Sequence, residues 1–376
     1  MLTRASQTAY WIESSLRRGT CIGKVKQASN PKTPRQLGYR MPAEWERHAA
    51  TWLSWPRPDG LSFPSRYDDV LPTLAEMVRA LAPHECININ VRDEEVEDIA
   101  RKSIGEIPNI LYHRIPSYEP WCRDHGPIFL KKTLNSSTSS LAIVDWKFNA
   151  WGGKYPPYDE DDRVPQRVAE VLGLPVFSPE VVMEGGALDV NGAGSLLTTE
   201  ACLLNANRNP KLNRQQIEKY LIDYLGVTNV LWLGEGIVGD DTDGHVDDLA
   251  RFVNPTTVVA ALESDPQNEN FEPLQENLKR LRTMRDQDAR PLQIVQLPMP
   301  KAVKYKGQRL PASYANFYIA NDIVLLPTYR DQKNDATALE ILQGLFADRR
   351  VMGIDSTNLV WGLGSFHCLT QQQPAM

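Results

Sequence analysis

The feature that most restricts how this chain can fold is a regular alternation of two hydrophobic periods. Apolar residues recur at three- and four-residue steps from Tyr67 to Leu81, Asp93 to Ile104, Val164 to Leu172, Leu212 to Leu225, Pro273 to Met284 and Asp335 to Phe346. That spacing gathers them on one face of a helix. Between these segments lie short runs with β-forming composition: Thr51 to Trp55, Cys86 to Val91, Leu141 to Trp146, Val230 to Leu233, Thr257 to Ala261, Leu292 to Gln296, Ile323 to Pro327 and Val351 to Ile354. Helix and strand signals that alternate along a whole chain predict an α/β architecture. No linker rich in Gly, Ser or Pro divides the body, so one continuous domain is expected over residues 37–376. The Asn135 to Ser140 run reads as a hairpin tip.

Composition narrows the partners. No apolar run approaches the roughly 20 residues of a spanning helix, so no membrane partner is expected. Five cysteines, an odd and scattered set, read as reduced thiols of a cytoplasmic protein. The net charge of −6 is unevenly spread: residues 1–40 hold eight Lys or Arg and one acid, for +7, and the remainder carries −13. An acidic body repels nucleic-acid phosphates and draws in a small cation. Residues 1–36 are rich in Ser, Thr and Arg and poor in acids. Transit peptides share that composition, as do disordered tails and upstream-start extensions, so both readings stand.

Four clusters between the regular segments concentrate Trp, Gly, Asp, His and Cys, where catalytic loops on a rigid scaffold belong. Trp121-Cys122-Arg123-Asp124-His125-Gly126-Pro127 can set an aromatic face beside a carboxylate, a pairing suited to a planar cation. Met183-Glu184-Gly185-Gly186 is followed by Asn191-Gly192, a signal for a type I′ hairpin with Glu184 at the start of a strand. In Gly239-Asp240-Asp241-Thr242-Asp243-Gly244-His245-Val246-Asp247-Asp248, five carboxylates crowd one histidine. A strand from His245 to Val253 would turn His245 and Asp247 to the same face. An EF-hand-type calcium loop fails here, because Gly239 and Ala250 stand where acids are required. No His-x-x-x-His or Cys-x-x-Cys spacing favours zinc, and no metal is expected. The fourth cluster, Gly362-Leu363-Gly364-Ser365-Phe366-His367-Cys368, offers a thiol behind two glycines that would let backbone bend around a ligand.

Taken together, one Cys, one His and at least three carboxylates, without a dinucleotide fingerprint or Walker loop, point to covalent catalysis on a small cation with no cofactor. A guanidinium satisfies the set: two carboxylates clamp its N–H groups, a thiolate attacks the central carbon, and the histidine first gives and then takes a proton. A non-catalytic guanidine or polyamine binder and a metallohydrolase are the readings of other classes.

Several motifs in order carry a resemblance: Met41-Pro42-Ala43-Glu44-Trp45-Glu46, Trp121-x-Arg123-Asp124-x-Gly126-Pro127, Glu184-Gly185-Gly186, Asp241-Thr242-Asp243-Gly244-His245-Val246-Asp247, Pro311-Ala312-Ser313-Tyr314-x-Asn316-Phe317-Tyr318 and His367-Cys368-Leu369-Thr370-Gln371-Gln372-Gln373-Pro374. From Leu37 onwards the chain resembles the agmatine deiminase group of the bacterial peptidylarginine deiminase-like family, in the guanidine-modifying superfamily. The resemblance implies a fivefold pseudosymmetric α/β propeller of pentein type, built from ββαβ units. It implies hydrolysis of agmatine to N-carbamoylputrescine and ammonia, a step towards putrescine, in a chain that associates as a homo-oligomer. Cys368 would be the nucleophile, His245 the general acid and then base, and Asp124, Glu184 and Asp247 catalytic and substrate-binding carboxylates. Trp121 would pack on the substrate. Tyr314 and Asn316 receive no role. Leu363 and Ser365 interrupt the family's glycine run, and Asp243 replaces its Asn. The alternative within the same chemistry is another guanidine substrate, such as a terminal arginine.

Overall fold

Sheet topology follows directly from the alternation. In the computed structural model, which describes residues 32–133 and 139–376, the strands fall into five separate sheets and a two-stranded ribbon, Lys304–Tyr305 with Gln308–Arg309; none of these sheets closes on itself. Thr33–Met376 form one compact unit. Most of the basic segment at residues 1–36 lies outside the described residues, and so does the body of the Asn135 to Ser140 run. The strands flanking that run, Ile128–Thr133 and Ser139–Val144, pair antiparallel with Thr133 opposite Ser139.

One order of elements recurs. A first strand pairs antiparallel with a second, a helix crosses over, and a third strand joins parallel to the second. Ala250–Asn254, Thr257–Leu262, helix Phe271–Thr283 and Gln293–Pro298 show it, as do Tyr318–Ile319, Ile323–Thr328, helix Gln332–Leu345 and Arg350–Asp355. Ile128–Thr133, Ser139–Val144 and Val176–Phe177 repeat it around helix Val164–Leu172, and Asp189–Val190, Ser195–Thr199 and Asn229–Leu233 around helix Arg214–Leu225. In the remaining sheet the first strand comes from the far end of the chain. Thr370–Pro374 pairs antiparallel with His48–Ser54, which leads through helix Tyr67–Leu81 to the parallel strand Cys86–Val91 and through helix Glu94–Ile104 to Ile110–Arg114. Both ends of the compact unit are thereby tied into one sheet.

All six predicted helices are present, each within a few residues of its expected ends, and local chemistry sets those ends. Asp93 caps Glu94–Ile104 by accepting the Val96 N–H, and Val96, Ala100 and Ile104, four residues apart, are its buried stripe. Asn213 and Gln216 form a capping box on Arg214–Leu225, which buries Ile217, Leu221 and Leu225 and stops at Gly226 in the left-handed region. The central strands are buried on both faces, as parallel strands under crossover helices must be; all five residues of Ser195–Thr199 are buried.

Candidate active site

The residues singled out in the sequence sit in equivalent places, in the short turns that precede the first strand of each sheet. Asp124 lies in the helical turn Cys122–His125, ahead of Ile128–Thr133, with Trp121 at its N-cap. Glu184 leads the 3-10 turn Gly185–Ala187 ahead of Asp189–Val190, and His245 leads Val246–Asp248 ahead of Ala250–Asn254. Cys368 lies in Phe366–Leu369, ahead of Thr370–Pro374. The fifth such turn, before Tyr318–Ile319, is closed by the Asn316 N–H to the Ser313 carbonyl at 3.4 Å.

Three local expectations are corrected, the first being that Glu184 opens a strand: the 3-10 turn Gly185–Ala187 separates it from Asp189–Val190. His245 and Asp247 do not share a strand, which starts only at Ala250; the backbone leaves His245 extended and turns tightly through Asp247, so both side chains are buried by a turn rather than by strand alternation. Asn191-Gly192 does not form a two-residue turn either. The hairpin loop runs over four residues because the Asn191 carboxamide oxygen accepts the N–H groups of Ala193, Gly194 and Ser195.

Asp124, His245 and Asp247 converge on Gly186. A Cβ there would lie 2.6 Å from His245 Nδ1, 2.7 Å from Asp124 Oδ1 and 3.1 Å from Asp247 Oδ2, so only glycine leaves these polar atoms room. The Gly186 N–H donates to Asp124 Oδ1 at 2.9 Å, and Trp151 Nε1 donates to Asp124 Oδ2 at 2.9 Å. Glu184 accepts from Arg208 Nε at 2.6 Å, with both side chains wholly buried. The ring nitrogens of His245 lie 3.7 Å from Asp124 Oδ1 and 4.0 Å from Glu184 Oε2, and neither has a hydrogen-bond partner among the described residues. Cys368 donates to Asp247 Oδ2 at 3.6 Å and accepts from Asn316 Nδ2 at 3.0 Å.

Electrostatics divide these groups. Burial pushes Asp124 up to about 6, although the neighbouring His245 charge pulls the other way. Burial opposes a charged His245, but Asp124, Cys202 and Glu184 outweigh it and hold the ring well above its ordinary value. That balance favours the protonated ring. Burial, then the charges of Asp247, Asp248 and Asp124, push the Cys368 thiol well above its usual range. A cation set among those carboxylates would reverse that push and favour the thiolate.

Asp124 and Cys368 open into a cavity of about 170 Å³ whose walls include Trp121, Trp151, Phe63 and Trp361, with Asp241 and Glu119 also lining it. Trp121 donates its indole N–H to Ser62 Oγ at 2.8 Å. The glycines before Cys368 serve this ring: a Cβ on Gly362 or Gly364 would come within 2.8 or 2.6 Å of Trp121. Between them Leu363 lines the cavity at φ 73°, and Asp243 stands at φ 67°, so two of the three residues that depart from the family pattern occupy left-handed backbone, whereas Ser365 lies at φ −139°. Asp tolerates that region better than Leu does.

Among the described residues, Glu184, Cys202 and His245 have the spacing of a metal site. Arg208 already occupies Glu184, and its guanidinium would repel a cation there, so the group fits acid–base chemistry better than ligation. Sequence reasoning missed Trp151, Arg208 and Cys202, and it left Glu44, Asn316 and His367 without roles although their motifs were noticed.

An α/β protein that gathers a thiol, a histidine and buried carboxylates beside an aromatic cavity has the makings of a guanidine-modifying enzyme. The chain belongs to the Porphyromonas-type peptidyl-arginine deiminase family, whose sequence model matches residues 40–374. Among solved structures, an agmatine deiminase of Enterococcus faecalis, described as catalysing its reaction, is 35% identical with a TM-score of 0.86, covering 93% of this chain and 99% of that one. A Cys-to-Ser variant of C. jejuni agmatine deiminase with substrate bound is 27% identical with a TM-score of 0.81, covering 89% and 96%. SxtG, an amidinotransferase from Microseira wollei, shares the fold alone, at 10% identity and a TM-score of 0.52 over 89% of this chain and 96% of that one.

Proposed function

We propose that this chain is an agmatine deiminase that hydrolyses agmatine to N-carbamoylputrescine and ammonia. The observation that carries the reading is the convergence of Asp124, His245 and Asp247 on Gly186, with Cys368 hydrogen-bonded to Asp247. Its substrate class is supported by the agmatine deiminases among the similar structures. Asp124 and Asp247 take the N–H groups of the guanidinium in charge-assisted bonds. The bound cation offsets the anions that hold Cys368 protonated, the thiol releases its proton to solvent, and the thiolate adds to the guanidinium carbon. His245, charged at that stage, gives its proton to the leaving nitrogen, and the C–N bond breaks to release ammonia. A water that loses one proton to His245 then adds to the Cys-thiouronium carbon, the C–S bond breaks as the remaining hydroxyl proton passes to the departing sulfur, and the ureido product leaves with the Cys368 thiol restored.

Glu184, held by Arg208, keeps the proton on His245 in place, and Trp121 packs along the substrate. The ammonium tail points towards Asp241, a carboxylate lining the cavity, which accepts from the Tyr155 hydroxyl. The five recurrent strand–strand–helix–strand units suit a propeller with fivefold pseudosymmetry about the site. Residues 37–376 are the catalytic domain and residues 1–36 a separate extension, a division supported by the opposite charge of the two parts. No helix among the described residues is long and apolar enough to cross a membrane. Rapid quenching of a turnover mixture followed by mass spectrometry tests the covalent step: the peptide carrying Cys368 should gain the amidine fragment, and an unmodified peptide during turnover contradicts it.

A further inference from the structure

His367, next to the nucleophile in sequence, faces away from the cavity into a second buried cluster. Its Nδ1 lies 2.6 Å from Asp247 Oδ2 and its Nε2 lies 2.9 Å from Glu44 Oε2, with the ring 2% exposed. Each ring nitrogen faces a carboxylate oxygen, and ionised carboxylates only accept. Both nitrogens must then donate, which makes the ring an imidazolium.

The surroundings agree with that charge. Glu44 also receives Arg123 Nη2 at 3.3 Å and Arg251 Nη2 at 2.9 Å, and the Ile319 N–H at 2.8 Å. Arg251 reaches on to Asp189 as well. Three cationic side chains, His367, Arg123 and Arg251, thus meet three carboxylates, Glu44, Asp189 and Asp247. Burial alone would push Glu44 and Asp247 up, but Arg251 and His367 hold Glu44 well below the carboxylate range, and His367 brings Asp247 down. On its other sides Asp247 meets His245, Asp248, Asp124 and the Cys368 thiol. Its second oxygen, Oδ1, is buried without a hydrogen-bond partner among the described residues.

We infer that His367 is a positioning residue, a fixed buried cation tethered by Glu44 that keeps Asp247 ionised and turned towards the guanidinium. It touches no reacting atom. Its role rests on the proposed clamp by Asp247, and the two can be tested apart.

The experiment measures agmatine binding by calorimetry from about pH 5 to about pH 8 in Cys368→Ser, which holds substrate without turnover, and in the same variant carrying His367→Gln or Glu44→Gln. Asp247 must be ionised to bind, so raising its pKa moves the loss of affinity on the acid side to higher pH. Asp124 sets the acid limb of Cys368→Ser at about 6. With the His367 cation gone, burial of Asp247 should carry its carboxyl above that limb, moving the loss of affinity up by about one unit and giving about tenfold weaker binding near pH 6. Glu44→Gln should shift it in the same direction by less, because it acts one step further away. Thermal unfolding at each pH identifies folded variants. Folded variants whose acid limb coincides with that of Cys368→Ser alone overturn the inference, as does a uniform loss of affinity at every pH. If the wild-type chain releases no ureido product from agmatine, it is the proposed function that fails.

Discussion

Arg208 Nε donates to Glu184 at 2.6 Å with both side chains fully buried, and the same guanidinium bonds Asp243 Oδ2 at 2.6 Å and the Thr242 carbonyl at 2.8 Å. One arginine therefore joins the carboxylate beside His245 to the loop that lines the cavity mouth. Arg208→Met removes the buried partner of Glu184, which should cost about 3–5 kcal/mol. The urea midpoint reads that loss, and Arg208→Met with Glu184→Met should recover much of it. Equal midpoints for wild type and Arg208→Met would show that the pair does not hold the site together.

Gly186 gives a test that separates site from fold. Its missing side chain is required by three polar atoms, not by backbone torsion, since its φ lies outside the left-handed region. Gly186→Ala should keep the wild-type circular dichroism spectrum and lose activity by about 100-fold or more, because the displaced carboxylates and His245 lose their alignment. Near-normal kcat/KM in the alanine variant would contradict the convergence.

Asp124 gives a pH dependence with a definite sign. The clamp needs the ionised form, so kcat/KM should fall as pH drops through about 6, and Asp124→Asn should lose about 10- to 100-fold through a charge-assisted bond worth about 1.5–3 kcal/mol. Stability moves the other way. Between the unfolded value of about 3.9 and the folded value, the unfolded chain has released a proton that the folded chain keeps, so stability falls as pH rises through that window. Asp124→Asn should flatten that part of the stability profile, as measured by chemical denaturation at several pH values.

The Cys368 thiol, raised by burial and then by Asp247, Asp248 and Asp124, should react slowly with iodoacetamide at neutral pH and faster as pH rises. Cys368→Ser should abolish turnover while retaining agmatine binding. Measurable ammonia release by the purified serine variant at the wild-type rate would remove the covalent mechanism.

How much of this was legible in the sequence depends on the range of the forces involved. The helices were, because amphipathic period and caps such as Asp93 and Asn213 are local. Asp189–Val190 and Tyr318–Ile319 were not, since two residues cannot display a period. Thr370–Pro374 reads as polar, yet it is a largely buried strand because Gln371 reaches the Pro127 carbonyl at 2.7 Å and Gln372 takes Arg123 at 2.8 Å. The candidate site divides in the same way. Four of the five turns carry clusters of chemical residues and stood out, whereas Asn316 belongs to a turn whose partner, Cys368, is 52 residues away. Trp151 and Arg208 meet their carboxylates across 27 and 24 residues with no spacing rule to announce them.

The central claim is substrate and chemistry together, and one comparison reaches both: ureido-product formation by the purified chain from agmatine, free arginine and an arginyl peptide at equal concentration. Agmatine should be converted with the highest kcat/KM by at least about 100-fold, since a site that pairs a substrate's charged tail discriminates strongly against one that leaves it unpaired. Faster conversion of the arginyl peptide, or no ureido product from any of the three, would contradict the account.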